Sequence, residues 1–171
     1  MRVLVVFVLG VSLAGGELVS KCDLRDPLMA MMGSLIGERG KQEIPSLEDK
    51  VAKIVCYVEF ASGFNTAAVN QLDLQSSEPK EVWKLYGLFQ LSNHLVCSED
   101  DDKDLSKNIC EMNCNKLVDD NITDDIECLS TVLKAFLKDG WNNKEQLEMI
   151  KNIFQERCGD KTSLDYFSDC S

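Results

Sequence analysis

Eight cysteines, at positions 22, 56, 97, 110, 114, 128, 158 and 170, constrain what this chain can fold into more than any other feature. They follow an opening stretch, MRVLVVFVLGVSLAGG, with one early arginine, an apolar run from Val3 to Leu13 and small residues at its end. That layout is a secretory signal, too short and too weakly flanked to span a bilayer. We place its end at Gly16, with one folded domain over residues 17–171. An even cysteine count behind such a segment predicts four disulfides formed in an oxidising compartment. Zinc is a poor alternative: there is no CxxC pair, and the single histidine, His94, reads as a surface or packing residue.

Charge narrows the partners. The formal net charge of −11 becomes −12 once Arg2 leaves with the signal segment. A chain this acidic does not seek nucleic-acid phosphates or anionic membranes, and suits cations or a partner with a basic patch. No segment after the first is apolar enough for stable membrane insertion.

Hydrophobic spacing predicts four helices. Leu24, Leu28, Met31, Met32 and Leu35 give a helix over Asp23–Ile36, with Pro27 early in it. A second should begin at Ser46, where Ser46 and Asp49 form a capping-box pattern ahead of the stripe Leu47, Val51, Ile54, Val55 and Val58. A third runs over Thr123–Lys138 and a fourth over Asn143–Arg157. Residues 64–97 differ: they carry turn formers and two β-prone runs, Glu81–Leu85 and Leu88–Leu91, which predict a small, irregular antiparallel sheet. The run SEDDDKD from Ser98 reads as a solvated loop.

One stretch asks for a chemical reading. KLVDDNITDDIEC, Lys116–Cys128, gathers Asp119, Asp120, Asp124 and Asp125 within a few residues. Oxygen-only clusters suit hard cations, and calcium takes roughly six to eight oxygen ligands. The competing reading is a solvated turn: Thr123 as N-cap, with Asp124 and Asp125 favoured by the dipole at a helix start. That explanation leaves Asp119 and Asp120 unaccounted for. The EF-hand pattern is absent. Both readings stand on spacing alone, although the bracketing cysteines, Cys114 and Cys128, lower the entropy cost of gathering ligands.

Several segments resemble one family. CEMNCNKLVDDNITDDIEC, Cys110–Cys128, is similar to the calcium loop of α-lactalbumins and calcium-binding C-type lysozymes. YGLFQLSN, Tyr86–Asn93, resembles the α-lactalbumin form of the sheet segment. SGFNTAA from Ser62 fits either branch, and ELVSKC fits the family's mature start. The resemblance implies an α+β lysozyme-like fold, a helical lobe and a small antiparallel β-lobe with calcium at their junction. It implies the disulfides Cys22–Cys170, Cys56–Cys158, Cys97–Cys114 and Cys110–Cys128. It implies calcium held by the side chains of Asp119, Asp124 and Asp125 and the main-chain carbonyls of Lys116 and Asn121, with Asp120 outside the ligand set.

The same resemblance speaks against catalysis. A retaining glycosidase needs two carboxyl groups about 5 Å apart. At the corresponding positions this chain has Ala61 and Leu85, and the two sugar-stacking tryptophans are replaced by Leu95 and Val96. The implied role is that of α-lactalbumin: a secreted, non-catalytic milk-protein type, monomeric alone, and the regulatory subunit of lactose synthase that modifies a β-1,4-galactosyltransferase. The family's partner face includes a Phe-His pair and a Gln-Trp pair. This chain has Glu59 and Phe60 at the first and Asp165-Tyr166-Phe167-Ser168 near the second, which puts that partner in doubt. The spans between Cys22 and Cys56, Asn65 and Tyr86, and Cys128 and Cys158 are longer than the family pattern. The alternatives are a divergent binding protein without the transferase, or a residual glycoside hydrolase. Asn121-Ile122-Thr123 is a glycosylation acceptor pattern, expected to go unused because a glycan would crowd the calcium loop.

Overall fold

The computed structural model describes residues 17–37, 44–74, 81–99, 107–139, 151 and 153–170. The leader at 1–16, most of the acidic run from Ser98 and helix positions 143–150 lie outside the described residues. The architecture is α+β, and the chain divides into two compact units, Met1–Val19 with Ser62–Asp125 and Ser20–Ala61 with Ile126–Ser171. No helix among the described residues is long and apolar enough to cross a membrane.

The second unit is helical. Its first helix, α1 (Lys21–Gly37), starts where Ser20 Oγ accepts the Asp23 N–H, so Ser20 is the N-cap. Leu24, Leu28 and Met31 form its buried stripe. The helix therefore begins earlier than its apolar pattern, and Pro27 falls inside it rather than in its first turn.

The next helix, α2 (Ile44–Ser62), also starts ahead of the expected Ser46. Pro45 tolerates the first turn because its missing N–H leaves no helical bond unmade. Ser46 therefore lies inside the helix rather than at its cap, and Asp49 serves another contact. Its Oδ1 accepts the Ser163 N–H at 2.8 Å, which caps a short helix far along the chain. Val51, Val55 and Val58 are fully buried, each side chain contributing about 1.5–3 kcal/mol.

The helix α3 (Ile122–Asp139) follows its expected stripe, with Val132 buried and Ile126, Leu129 and Leu133 half-buried. Near the C-terminus a π-helical turn occupies Ile153–Arg157, where an α-helix was expected, and Thr162 caps the one-turn α4 (Ser163–Tyr166). Disulfides Cys22–Cys170 and Cys56–Cys158 lie within this unit.

The other unit holds the sheet. Strands β1 (Val69–Leu74), β2 (Glu81–Tyr86) and β3 (Leu91–Ser92) are antiparallel in that order, with Val69 opposite Tyr86 and Leu85 opposite Ser92. The β-prone run Leu88–Leu91 is mostly turn, and β1, with its VNQLDL sequence, was not anticipated. Two short strands, β4 (Cys97–Ser98) and β5 (Met112–Asn113), pair in parallel beside the Cys97–Cys114 disulfide. Cys110 and Cys128 are disulfide-bonded too, and no cysteine is free. His94 has a packing role, its ring stacked on Trp83 with centroids 4.7 Å apart.

Candidate metal centre

The acidic loop is placed from both ends. A 3₁₀ helix over Cys114–Leu117 leads in, capped by Asn113, whose Oδ1 accepts the Asn115 N–H. Leu117 is buried and sets the approach of the sheet turn. Gly87 there has φ +75°, and a Cβ on it would lie 1.8 Å from the Leu117 carbonyl oxygen. Glycine alone permits that contact. Gln90, at φ 52°, closes the turn with side-chain bonds to the Ala68 and Gly87 carbonyls and accepts from Asn70 Nδ2.

The loop then folds on its own side chains. Asp119 Oδ1 accepts the Asn121 N–H and Asn121 Oδ1 accepts the Thr123 N–H, both at 3.1 Å. Asn121 is therefore the N-cap of α3, in place of the expected Thr123. These two local turns bring residues 124 and 125 back toward 119. One carboxylate oxygen from each of Asp119, Asp124 and Asp125 lies within 4.8 Å of the others.

The three are not equivalent. Asp119 is exposed and Asp124 half-buried, while Asp125 is 1% exposed. Both carboxylate oxygens of Asp125 are buried without a hydrogen-bond partner among the described residues. Burial, then the neighbouring Asp124 and Asp119 carboxylates, pushes its pKa from 3.8 up to about 9. An orphaned carboxylate beside two more is unfavourable by itself and complete with a hard cation. The donor set thus fits calcium. Lys116 and Asn121 are exposed members of the same loop, on the 3₁₀ helix and at the cap. Asp120, also exposed, accepts from Thr66 Oγ1 at 3.4 Å.

Thr66 is the residue that sequence reasoning missed. It is fully buried, and its Oγ1 also accepts the Glu17 N–H at 3.0 Å, while its own N–H donates to the Glu17 carbonyl. Residue 17 is thereby joined to the acidic loop through one hydroxyl. No local signal marks this, because the three residues are far apart in sequence.

Residues expected at the catalytic and partner-binding positions occur in both units. Ala61 is half-buried near the end of α2, and Leu85 is buried in β2. Neither side chain can move a proton. Leu95 is half-buried and Val96 buried. Glu59 is exposed and accepts the Tyr166 hydroxyl proton at 2.7 Å, and that contact, after burial, raises the Tyr166 pKa. Phe60 is 48% exposed beneath the Arg157 guanidinium. Tyr166 and Phe167, expected on a partner face, are largely buried and pack edge to face. The structure brings Glu59 and Tyr166 together and leaves Phe60 as the exposed aromatic of this group.

A sequence model of the C-type lysozyme/alpha-lactalbumin family matches residues 34–158. The milk isozyme of lysozyme C from Equus caballus is 32% identical over 91% of this chain and 99% of its own length. Alpha-lactalbumin from Papio cynocephalus is 34% identical over 71% of this chain and 82% of its own. Among solved structures, a calcium-binding lysozyme from equine milk superposes with a TM-score of 0.58 at 30% identity, covering 91% of this chain and 99% of that one.

Proposed function

This chain belongs to the C-type lysozyme/alpha-lactalbumin family, and from that premise we propose that it is a secreted, non-catalytic, calcium-binding protein of the α-lactalbumin type. Its role is that of a regulatory subunit that binds a β-1,4-galactosyltransferase and lets glucose serve as acceptor. The observation that carries this reading over the lysozyme alternative is the side chains at the two catalytic positions, Ala61 and buried Leu85. Without an acid and a nucleophilic carboxylate there is no glycosidic bond cleavage by the family's route.

Asp119, Asp124 and Asp125 would hold the calcium with their side chains, joined by the carbonyls of Lys116 and Asn121. The ion supplies positive charge to a loop whose carboxylates otherwise repel one another. Asp125 provides the buried oxygens, Asp119 and Asn121 shape the turn with their side-chain acceptors, and Gly87 and Thr66 fix the loop to the sheet unit. Residues 1–16 act as the secretory leader.

The test is lactose formation by a purified β-1,4-galactosyltransferase with UDP-galactose and low glucose, titrated with this chain in calcium. A saturable rise supports the role. Cell-wall lysis by the same sample would sink the non-catalytic reading. One observation favours a second outcome: Tyr166 and Phe167 are buried where an exposed partner face was expected. A folded, calcium-loaded sample that stimulates nothing would identify a binding protein whose partner lies elsewhere.

A further inference from the structure

We infer that Asn121 is the acceptor of an N-linked glycan, carried at the rim of the acidic loop without disturbing it. Asn121-Ile122-Thr123 is the one Asn-x-Ser/Thr sequence in the chain. The objection from sequence is crowding: a sugar inside a metal loop should block it. The atoms remove that objection. Asn121 is exposed, and two of its groups make the hydrogen bonds that shape the loop. Its backbone N–H donates to Asp119 Oδ1 and its side-chain Oδ1 accepts the Thr123 N–H. Its Nδ2 makes no hydrogen bond among the described residues.

Nδ2 is the atom that glycosylation changes. In the transfer, Nδ2 attacks C1 of the first sugar of a polyisoprenyl-diphosphate-linked oligosaccharide. The N–C1 bond forms, the bond from C1 to the phosphate oxygen breaks, the lipid diphosphate leaves, and one Nδ2 proton passes to a base of the transferase. The linked nitrogen keeps one hydrogen and Oδ1 keeps its lone pairs, so the helix cap survives the modification. The Asn121 carbonyl belongs to the main chain and is not consumed. Thr123, the third residue of the pattern, is also exposed at the start of α3.

The inference rests on the secretory route proposed above, and the experiment separates the two. The full chain is expressed in secreting animal cells and the medium is treated with peptide N-glycosidase. The expected result is a mobility shift of one glycan, with aspartate found at position 121 by peptide mass spectrometry after release. The shift should vanish in Asn121→Asp and Thr123→Ala and persist in Thr123→Ser. Asn121→Asp keeps a side-chain oxygen at the cap, so normal secretion of that variant rules out misfolding as the cause of the loss. Secreted parent chain with no shift overturns the glycan and leaves secretion standing. A chain confined to the cytosol overturns both, and a shift that persists in Asn121→Asp overturns the site.

Discussion

Replacing Asp125 by asparagine should stabilise the calcium-free protein and abolish its response to calcium. The carboxyl is buried without a hydrogen-bond partner among the described residues, and burial pushes its folded-state pKa from an ordinary 3.8 up to about 9. A raised folded value in an acid works against the fold. The cost is absent below the ordinary carboxylate range, grows as pH rises from about 4, and levels off above about 9. At pH 7 the gap of about three units corresponds to roughly 4 kcal/mol. Asparagine removes the titration. Its buried amide costs about 1–3 kcal/mol if unpaired. The net gain without calcium is then about 2 kcal/mol, or roughly 4–8 °C in melting temperature for a chain of this size.

Calcium at about a hundred times its Kd should add roughly 2.7 kcal/mol to the parent and nothing to the variant. Thermal melts followed by circular dichroism, in chelator and in calcium at pH 5 and pH 8, read both effects. In chelator the parent should lose stability from pH 5 to pH 8 by more than the variant does. A variant that melts at or below the parent in chelator at pH 8, or that keeps the calcium shift, would refute the reasoning.

Two further perturbations test the scaffold of the loop, and a third tests a contact within the helical unit. Gly87→Ala forces a methyl group onto the Leu117 carbonyl at a left-handed φ and should cost more than about 3 kcal/mol, read as a lower denaturant midpoint. Thr66→Val keeps the shape and removes the hydroxyl that joins Glu17 to Asp120. It should cost about 1–3 kcal/mol by the same assay, and an unchanged midpoint would deny the link any role. Tyr166→Phe removes the bond to exposed Glu59 and should cost about 1 kcal/mol while returning that side chain to solvent. A double-mutant cycle with Glu59→Gln measures the coupling, and additive losses would show that there is none.

The cysteine count, the helical stripes and the acidic run were legible because each is local or compositional. Val51, Val55 and Val58 share a face at any helix start, so the buried stripe of α2 survives an error of two residues in its boundary. The start lies at Ile44, two residues before Ser46, and Asp49, read as a capping residue, accepts from Ser163, more than a hundred residues away. Pairing hid the rest of the sheet: β1 has the adjacent polar residues Asn70 and Gln71 breaking its period, and β4 and β5 have two residues each, too few to show one.

The candidate site divides in the same way. Sequence by itself determined that carboxylates would crowd between two cysteines and that an oxygen donor set was available. Only the tertiary structure decided that Asp125 is the carboxylate buried without a hydrogen-bond partner among the described residues, while Asp119 and Asp120 are exposed. It likewise decided that Asn121 rather than Thr123 caps α3, and that Gly87 and Thr66 hold the loop from outside it. The physical reason is that type and spacing of residues are properties of the chain, whereas desolvation is a property of what packs around a group. Which of four similar aspartates is desolvated depends on neighbours that the fold supplies from far along the sequence.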